Sequence, residues 1–164
     1  MSIRISRPSG ALKFALKLPV HLYHGGLGWL LDHRFLLLTH RGRKSGKLYE
    51  TVLEIVVYRP ATGTCYVVSG WGDNPDWYRN IQTQPAVSVQ VGRQQFAPLQ
   101  HFLTPEEVAT VWRSFRRKHP IEERIALKIY SRAGNANQNG AARRDTLVRN
   151  LRMVAFRPRQ QNRG

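Results

Sequence analysis

Four cationic side chains, a serine hydroxyl and two glycines share the stretch from Thr39 to Lys47. The cations are Arg41, Arg43, Lys44 and Lys47. Arginine binds phosphate oxygens through its planar guanidinium, lysine adds a point charge, and glycines let backbone N–H groups approach an anion closely. The spacing is not that of a Walker A loop, and no helix is predicted directly after it. These residue types slightly favour a phosphate site over a basic surface hairpin.

A second segment, residues 69–80, combines aromatic rings with the start of a helix. Asn74 is a good N-cap and Pro75 a good first helical residue. The free N–H groups of a helix start favour anions, and flat aromatic side chains beside glycines suit a planar ring system. The alternative is that Trp77 and Tyr78 are core residues of an amphipathic helix, and we expect this of one of the two.

The elements that hold these segments are predicted to be short strands joined mostly by hairpins. Apolar or alternating runs between turn residues predict six strands, at 34–40, 48–58, 64–70, 87–91, 94–102 and 146–157. A succession of hairpins favours an antiparallel sheet. We expect this sheet to close into a small barrel, in a mainly β fold with helices (α+β).

Helices are predicted early and late in the chain. Residues 9–31 are helical in pattern and broken near Pro19. Thr104 to Glu107 match a capping box with proline at the first helical position, and the helix runs to about Lys118. A second late helix follows Pro120. The apolar positions are Val108, Val111, Trp112 and Phe115 in the first late helix, and Ile121, Ile125, Leu127 and Ile129 in the second.

The chain of 164 residues is expected to form a single domain, since its length leaves little room for two. Three parts are predicted to lie outside the packed barrel: an N-terminal helical segment at 1–31, a mobile loop at 133–145 and a disordered tail at 158–164. The one cysteine, Cys65, excludes an internal disulfide and is expected to be a small core residue.

The net charge is +16, from 26 basic and 10 acidic residues. Such an excess suits nucleic acid, an anionic membrane surface or a polyanionic small molecule. Specific nucleic-acid binding is not expected, because no recognised motif is present and the aromatic residues do not alternate with the basic runs. The basic N-terminal helix either covers the barrel, which we favour, or touches a membrane surface. No apolar run is long enough to span a bilayer, and we expect a cytoplasmic protein.

Four histidines raise the question of a metal site: His21, His24, His33 and His40. His21 and His24 are three residues apart and could share one face of a helix. No cysteine or carboxylate cluster accompanies them, so we expect no metal.

The two segments described first, in this order, resemble the deazaflavin-dependent nitroreductase family, which also includes quinone reductases. The shared pattern consists of Gly42 to Gly46, then Ser69, then Trp77-Tyr78-Arg79-Asn80 and finally Gln84-Pro85. The resemblance extends over about residues 20–120 and, through the last strand, over nearly the whole domain.

The resemblance implies a split β-barrel and the deazaflavin coenzyme F-420, which has a phosphate and an oligoglutamate tail. It implies hydride transfer from the reduced coenzyme to a small electron-poor acceptor, such as a quinone, an enone or a nitroaromatic. FMN is the second choice of cofactor, and a lipid in the same barrel is the alternative ligand. The implied phosphate contacts are Arg43, Lys44, Ser45 and Gly46, and the implied neighbours of the ring are Ser69, Gly70, Trp71, Trp77 and Asn80.

Three departures from the family pattern leave the acceptor and the proton donor unassigned. Leu48-Tyr49 stand where family members often have Pro-Arg, and Gly70-Trp71 stand where a lysine often follows the serine. The tyrosines expected near the late helix are absent until Tyr130. His119 is a candidate proton donor by position alone, and a surface histidine is the favoured interpretation. The oligomeric state is left open, with a homodimer as one expectation.

Overall fold

A computed structural model describes Gly25 and residues 33–70, 75–133 and 141–159 of the chain. Its strands are β1 (Phe35–Arg41), β2 (Leu48–Arg59), β3 (Thr64–Ser69), β4 (Ser88–Val91), β5 (Gln94–Phe96), β6 (Pro98–Phe102) and β7 (Arg152–Pro158). Its helices are α1 (Asp76–Thr83), α2 (Pro105–Lys118), α3 (Pro120–Ala133) and α4 (Ala141–Arg149). The N-terminal helix predicted at 1–31 lies outside the described residues, apart from Gly25.

The seven strands form one antiparallel, nearly closed, barrel-like sheet in the order β5-β4-β1-β2-β3-β7-β6. The prediction of an antiparallel barrel is therefore confirmed, but the number of strands is seven rather than six. Residues 94–102, predicted as one strand, divide into β5, which pairs with β4, and β6, which pairs with β7. The division falls at Ala97-Pro98, because a proline lacks the N–H that a continuous ladder needs.

Side chains alternate between the two faces of the central strands, and those on the inner face fill the barrel. Leu36 and Leu38 of β1 are fully buried and pack on Val67 of β3 and Phe156 of β7. Cys65 belongs to the same cluster, as predicted, and burial raises the pKa of its thiol to about 12. Cys65 is therefore a protonated, unreactive thiol in the core.

Helix α2 covers the outer side of the sheet and begins at the predicted capping box. The Glu107 N–H donates to Thr104 Oγ1 (3.3 Å), and the Thr104 N–H donates to Glu107 Oε2 (2.8 Å). Val108, Val111 and Trp112 are buried, as predicted, and pack around Met153 of β7. β7 therefore separates two apolar clusters, one inside the barrel and one under the helices.

The structure corrects two predictions for the late part of the chain. Residues 146–149 belong to α4 rather than to the last strand, and 141–145, predicted as part of a mobile loop, are helical as well. Ile121 and Ile125 are 71% and 54% exposed, so they are not the buried face of α3. Among residues 120–128 of that helix the buried side chain is Glu123, which accepts a hydrogen bond from the indole of Trp112.

Helix α1 lies against the barrel interior. Its N-cap is Pro75, one residue later than the predicted Asn74, which lies outside the described residues. Trp77, Tyr78 and Ile81 are all buried. The expectation that only one of the two aromatic residues belongs to the core is therefore wrong, since both join it.

Candidate functional site

The C-terminal ends of β1 and β3 lie at the same end of the sheet, because both strands run antiparallel to β2. The loop after β1 and helix α1 enclose a cavity of about 490 Å³ there, within the range typical of small-molecule sites. Its lining residues are His40, Gly42, Arg43, Lys44, Ser45, Tyr49, Glu50, Thr51, Asp76, Trp77 and Asn80.

Backbone hydrogen bonds fix the shape of the loop between β1 and β2. The Gly42 N–H donates to the Lys47 carbonyl, and the Gly46 N–H donates to the Gly42 carbonyl, both at 2.8 Å. Gly46 has φ +67°, a left-handed conformation that a glycine adopts without strain. The Arg41 guanidinium donates to the Gly46 carbonyl (2.9 Å), so this cation is used to close the loop.

Tyr49 of β2 covers the other side of the loop. Its hydroxyl lies 3.2 Å from Ser45 Oγ, and its ring stacks on His40 with a centroid separation of 6.0 Å. A Cβ on Gly42 would lie 2.6 Å from both Ser45 Oγ and the Tyr49 ring. Glycine at position 42 is therefore what allows the tyrosine to pack onto the loop.

Asn80 joins the loop to helix α1. Its Oδ1 accepts from the Arg43 N–H (3.1 Å) and from Arg43 Nη1 (2.9 Å). Its Nδ2 donates to His40 Nδ1 (3.1 Å). Asn80 is 4% exposed; its bond to His40 is buried, and its two bonds to Arg43 are partly buried. The amide connects β1, the loop and α1 at a single point.

The Arg43 guanidinium faces the cavity with donors to spare. Nη1 also contacts Asp76 Oδ1 at 2.9 Å. The Asp76 side chain is 80% exposed, and ion pairs in such positions contribute little to stability. Among the described residues all side-chain contacts of Arg43 use Nη1, which leaves Nε and Nη2 for an anionic ligand. Lys44 is exposed on the same cavity wall.

His40 is a site residue that the sequence interpretation considered only as a metal ligand. It follows Leu36 and Leu38 on the inward face of β1 and is 3% exposed. Its Nε2 lies 3.3 Å from Thr51 Oγ1. Burial lowers the pKa of the imidazole below 6.5, although the charge of Asp76 partly opposes this. His40 is therefore neutral at physiological pH.

The predicted site residues divide into three groups. Arg43, Lys44, Ser45, Trp77 and Asn80 line the cavity, and Gly46 shapes its loop. Ser69 is buried at the end of β3, and neither it nor Gly70 lines this cavity. Trp71 lies outside the described residues. The lining residues that sequence reasoning did not assign to the site are His40, Gly42, Tyr49, Glu50, Thr51 and Asp76. The alternation of β1 is the signal that could have placed His40.

Two other candidate histidines, His33 and His119, do not line this cavity, and His21 and His24 lie outside the described residues. His119 pairs with Glu122 (2.7 Å) and lines a separate cavity of about 400 Å³ between β2 and α2, which His33 also lines. In the described ranges, no three His, Cys, Asp or Glu side chains come close enough to hold a metal ion together. None of the helices that the structure describes is both long and apolar enough to cross a membrane.

The sequence around this cavity is similar to that of known proteins. Residues 20–129 match the sequence model of the F420H(2)-dependent quinone reductases. A protein of Mycobacterium tuberculosis (strain ATCC 25618 / H37Rv), named as a member of the same group, is 32% identical over 87 residues, which are 53% of this chain and 73% of that protein.

Two solved structures share the fold. One, described as an F420-H2 dependent reductase, has a TM-score of 0.51 and 23% identity, over 77% of this chain and 96% of its own. The other, described as a domain-swapped dimer, has a TM-score of 0.53 and 20% identity, over 90% of this chain and 99% of its own. The matched region contains the loop, the cavity and helix α1, and the chain belongs to the F420H(2)-dependent quinone reductase family, a family of enzymes.

Proposed function

We propose that the cavity after β1 binds reduced coenzyme F-420 and that the enzyme passes a hydride from it to an electron-poor acceptor such as a quinone, an enone or a nitroaromatic. The observation that carries this proposal is the pairing of Arg43 and Lys44 on one wall of a cavity of about 490 Å³ whose other wall includes Trp77. Family membership supplies the identity of the coenzyme.

The residues present fit an anionic group at the loop. Within the described ranges the Arg43 guanidinium makes no contact through Nε or Nη2, and its one carboxylate partner there, Asp76, is exposed to solvent. A phosphate forms stronger, charge-assisted hydrogen bonds with such donors than an exposed carboxylate does, and it can replace Asp76. Arg43 and Lys44 would hold the phosphate, and Ser45 would add a hydroxyl contact.

The remaining predicted residues have roles at the ring end of the site. When bound, the coenzyme supplies the hydride, so the protein provides binding, orientation and exclusion of water. Trp77, whose ring is packed edge-to-face against Tyr78 at a centroid distance of 5.5 Å, offers a rigid flat wall. We assign Ser69, Gly70 and Trp71 to the same end by sequence pattern, and Asn80 to holding the loop against α1.

Removal of the Lys44 charge tests the assignment of the loop. Lys44→Ala is expected to weaken binding of coenzyme F-420 by about 1–3 kcal/mol, the range for loss of a charged hydrogen-bond partner. Fluorescence titration with reduced and oxidised coenzyme, with FMN alongside, measures the loss.

Lys47→Ala is the matched control for this titration. Lys47 is an exposed cation in the same loop that does not line the cavity. The control removes the same charge at a short distance from the site, so a much smaller loss is expected. Equal losses in the two variants would mean that only the overall basic charge matters, and unchanged affinity in Lys44→Ala would reject the loop as the phosphate site.

The domain-swapped dimer among the structural relatives makes oligomeric state a separate question. We keep the homodimer as a hypothesis. Light scattering on the purified enzyme, with and without coenzyme, distinguishes it from a monomer.

A further inference from the structure

A continuous line of hydrogen bonds runs through the floor of the cavity. It connects Thr51 of β2, His40 of β1, Asn80 of α1 and Arg43 of the loop. Asn80 and His40 are 4% and 3% exposed, and the central bond between them is buried. Each member therefore constrains the donor and acceptor roles of the next.

The orientation of the Asn80 amide follows from Arg43. Both of the Arg43 groups that contact it, the backbone N–H and Nη1, are donors with no acceptor capacity. The oxygen of the amide must face Arg43, and the NH₂ group must face His40. Because that NH₂ group can only donate, His40 Nδ1 must be an unprotonated acceptor. The ring proton then lies on Nε2, directed to Thr51 Oγ1.

We propose that His40 is a positioning residue: its neutral imidazole fixes the amide of Asn80, and through Asn80 the backbone and guanidinium of Arg43, in the arrangement that binds the anionic ligand of the loop. The identity of the ligand in this inference rests on the proposed function. The coupling of His40 to Arg43 is independent of that function.

Protonation of His40 would disrupt this arrangement. An N–H at Nδ1 would then face the NH₂ group of Asn80, which places two donors against each other. Turning the amide to offer its oxygen to His40 would place the NH₂ group against both donors of Arg43. In the first orientation the bond between His40 and Asn80 is lost, so the amide is no longer fixed from the side of β1. In the second orientation Arg43 loses the acceptor of both its backbone N–H and its Nη1.

Charged and titratable groups approach His40 from three sides. Helix α1 contributes Asp76, whose charge raises the pKa of the imidazole, while burial lowers it by more. β2 contributes Tyr49 and Glu50, and the loop contributes Arg43 and Lys44, all on the wall of the same cavity. β4, which pairs with β1 on its other side, has only Ser, Val and Gln in Ser88–Val91.

The sign of the pH effect separates this mechanism from simple electrostatics. A histidine that acted as one more cation would strengthen anion binding as it gained a proton at low pH. A histidine that holds Asn80 by its unprotonated nitrogen weakens anion binding when it gains the same proton. Since the pKa of His40 lies below 6.5, the binding-competent form predominates at pH 6.5 and above and is lost as the pH falls through the lowered value.

The ligand arm of the test is a titration with coenzyme F-420 at about pH 8 and at a pH about one unit below the His40 midpoint found by NMR. The affinity of the wild-type enzyme is expected to be about tenfold lower at the second pH, where about one tenth of the imidazole is neutral, which corresponds to about 1.4 kcal/mol. His40→Asn keeps an uncharged acceptor at the position of Nδ1, so the ratio of its affinities at the two pH values is expected to stay within about twofold. His101→Asn removes an exposed histidine that does not line this cavity and should keep the wild-type ratio.

The second arm needs no ligand. In nitrogen NMR of the coenzyme-free enzyme, His40 is expected to have Nδ1 unprotonated and Nε2 protonated at neutral pH. The amide resonance of Arg43 is expected to shift with the midpoint of His40, and this shift should vanish in His40→Asn. Protonation of Nδ1 at neutral pH, an Arg43 amide that ignores His40, or tighter coenzyme binding at low pH would each overturn the inference. If the coenzyme binds at no pH, the proposed function fails, and the NMR coupling still decides the inference.

Discussion

Asn80 and Glu123 are both almost completely buried polar residues, with 4% and 1% of their surface exposed, yet they belong to different kinds of region. Asn80 lies on the wall of a cavity, and the side chain of its partner Arg43 contacts the described residues through Nη1 alone. Glu123 lines none of the cavities found among the described residues. It lies between helices and is enclosed by protein partners.

The Glu123 cluster joins the three late helices. Its Oε1 accepts from the indole N–H of Trp112 on α2 at 3.3 Å, and Arg144 on α4 lies 3.5 Å from both carboxylate oxygens. α4 leads directly into β7, so this contact also fixes where the last strand enters the sheet. The comparison shows that burial of a polar group does not by itself indicate function. A polar network becomes a candidate site when it leaves donors facing a cavity.

The largest expected effect comes from replacing Glu123, which is the structural residue in the comparison with Asn80. Glu123→Ala removes the acceptor of a buried indole N–H and leaves a void, at a cost of about 3 kcal/mol of unfolding free energy. Denaturant unfolding measures the loss. Glu123→Gln keeps an oxygen for Trp112 and should cost less. Both variants should bind coenzyme F-420 like the wild type while folded. A loss of affinity in the folded variants would mean that the two regions are not independent.

Local signals made parts of the fold predictable. The capping box at Thr104 depends on four consecutive residues, so the sequence predicts the start of α2 correctly. The turn at Gly92, with φ +55°, is likewise fixed by its own residue type. The loop at 42–46 was predicted as an anion site because its cations and glycines are contiguous, and five of the predicted site residues line the cavity.

Features that depend on tertiary pairing were not predictable in the same way. Residues 94–102 look like one strand. Pro98 is a local signal that could have divided them, but the pairing of β5 with β4 and of β6 with β7 is a tertiary feature. The start of the last strand was placed too early, because Val148 packs in the cluster under the helices through α4. For α3, the sequence shows Ile121 and Ile125 among the apolar positions, yet both are exposed. The partners that bury Glu123 instead come from α2 and α4.

The role of His40 required information from three separate elements. Sequence alternation can place it on the inward face of β1, but its partner Asn80 is 40 residues away along the chain. Tyr49, noted in the sequence only as a departure from the family pattern, stacks on the same ring. Thus five of the eleven residues that line the cavity were named from the sequence, whereas the hydrogen bonds among the lining residues were not predicted.

An intermediate effect is expected from crowding the loop without changing its charge. In Gly42→Ala the new Cβ would lie 2.6 Å from Ser45 Oγ and from the Tyr49 ring, so both must move. Because Tyr49 is 46% exposed and free to shift, the cost is at the low end for overpacking, about 1 kcal/mol of unfolding free energy. The affinity of Gly42→Ala for the coenzyme should also fall, since the two displaced side chains, Ser45 and Tyr49, line the cavity.

Gly46→Ala is the control for this clash. Nothing lies within 4 Å of a Cβ there, but φ is +67°, so the cost comes from backbone strain of about 1–2 kcal/mol without displacement of Tyr49. Paired unfolding and coenzyme titrations distinguish the two. If Gly42→Ala destabilises the fold but binds the coenzyme as tightly as wild type, then the position of Tyr49 and Ser45 does not matter for binding.

The smallest expected effect concerns the Tyr49 hydroxyl. Tyr49→Phe removes the 3.2 Å contact with Ser45 Oγ in an exposed position, and a neutral hydrogen bond there contributes about 0.5 kcal/mol. The ring, and with it the stacking on His40, remains. Tyr49→Ala removes the ring as well, which opens His40 to water and should bring the pKa of the imidazole back toward 6.5, since burial is the main cause of its lowering. NMR titration of His40 in the two variants separates the hydroxyl from the ring. An unchanged His40 midpoint in Tyr49→Ala would show that β1 and α1, rather than Tyr49, keep water from the imidazole.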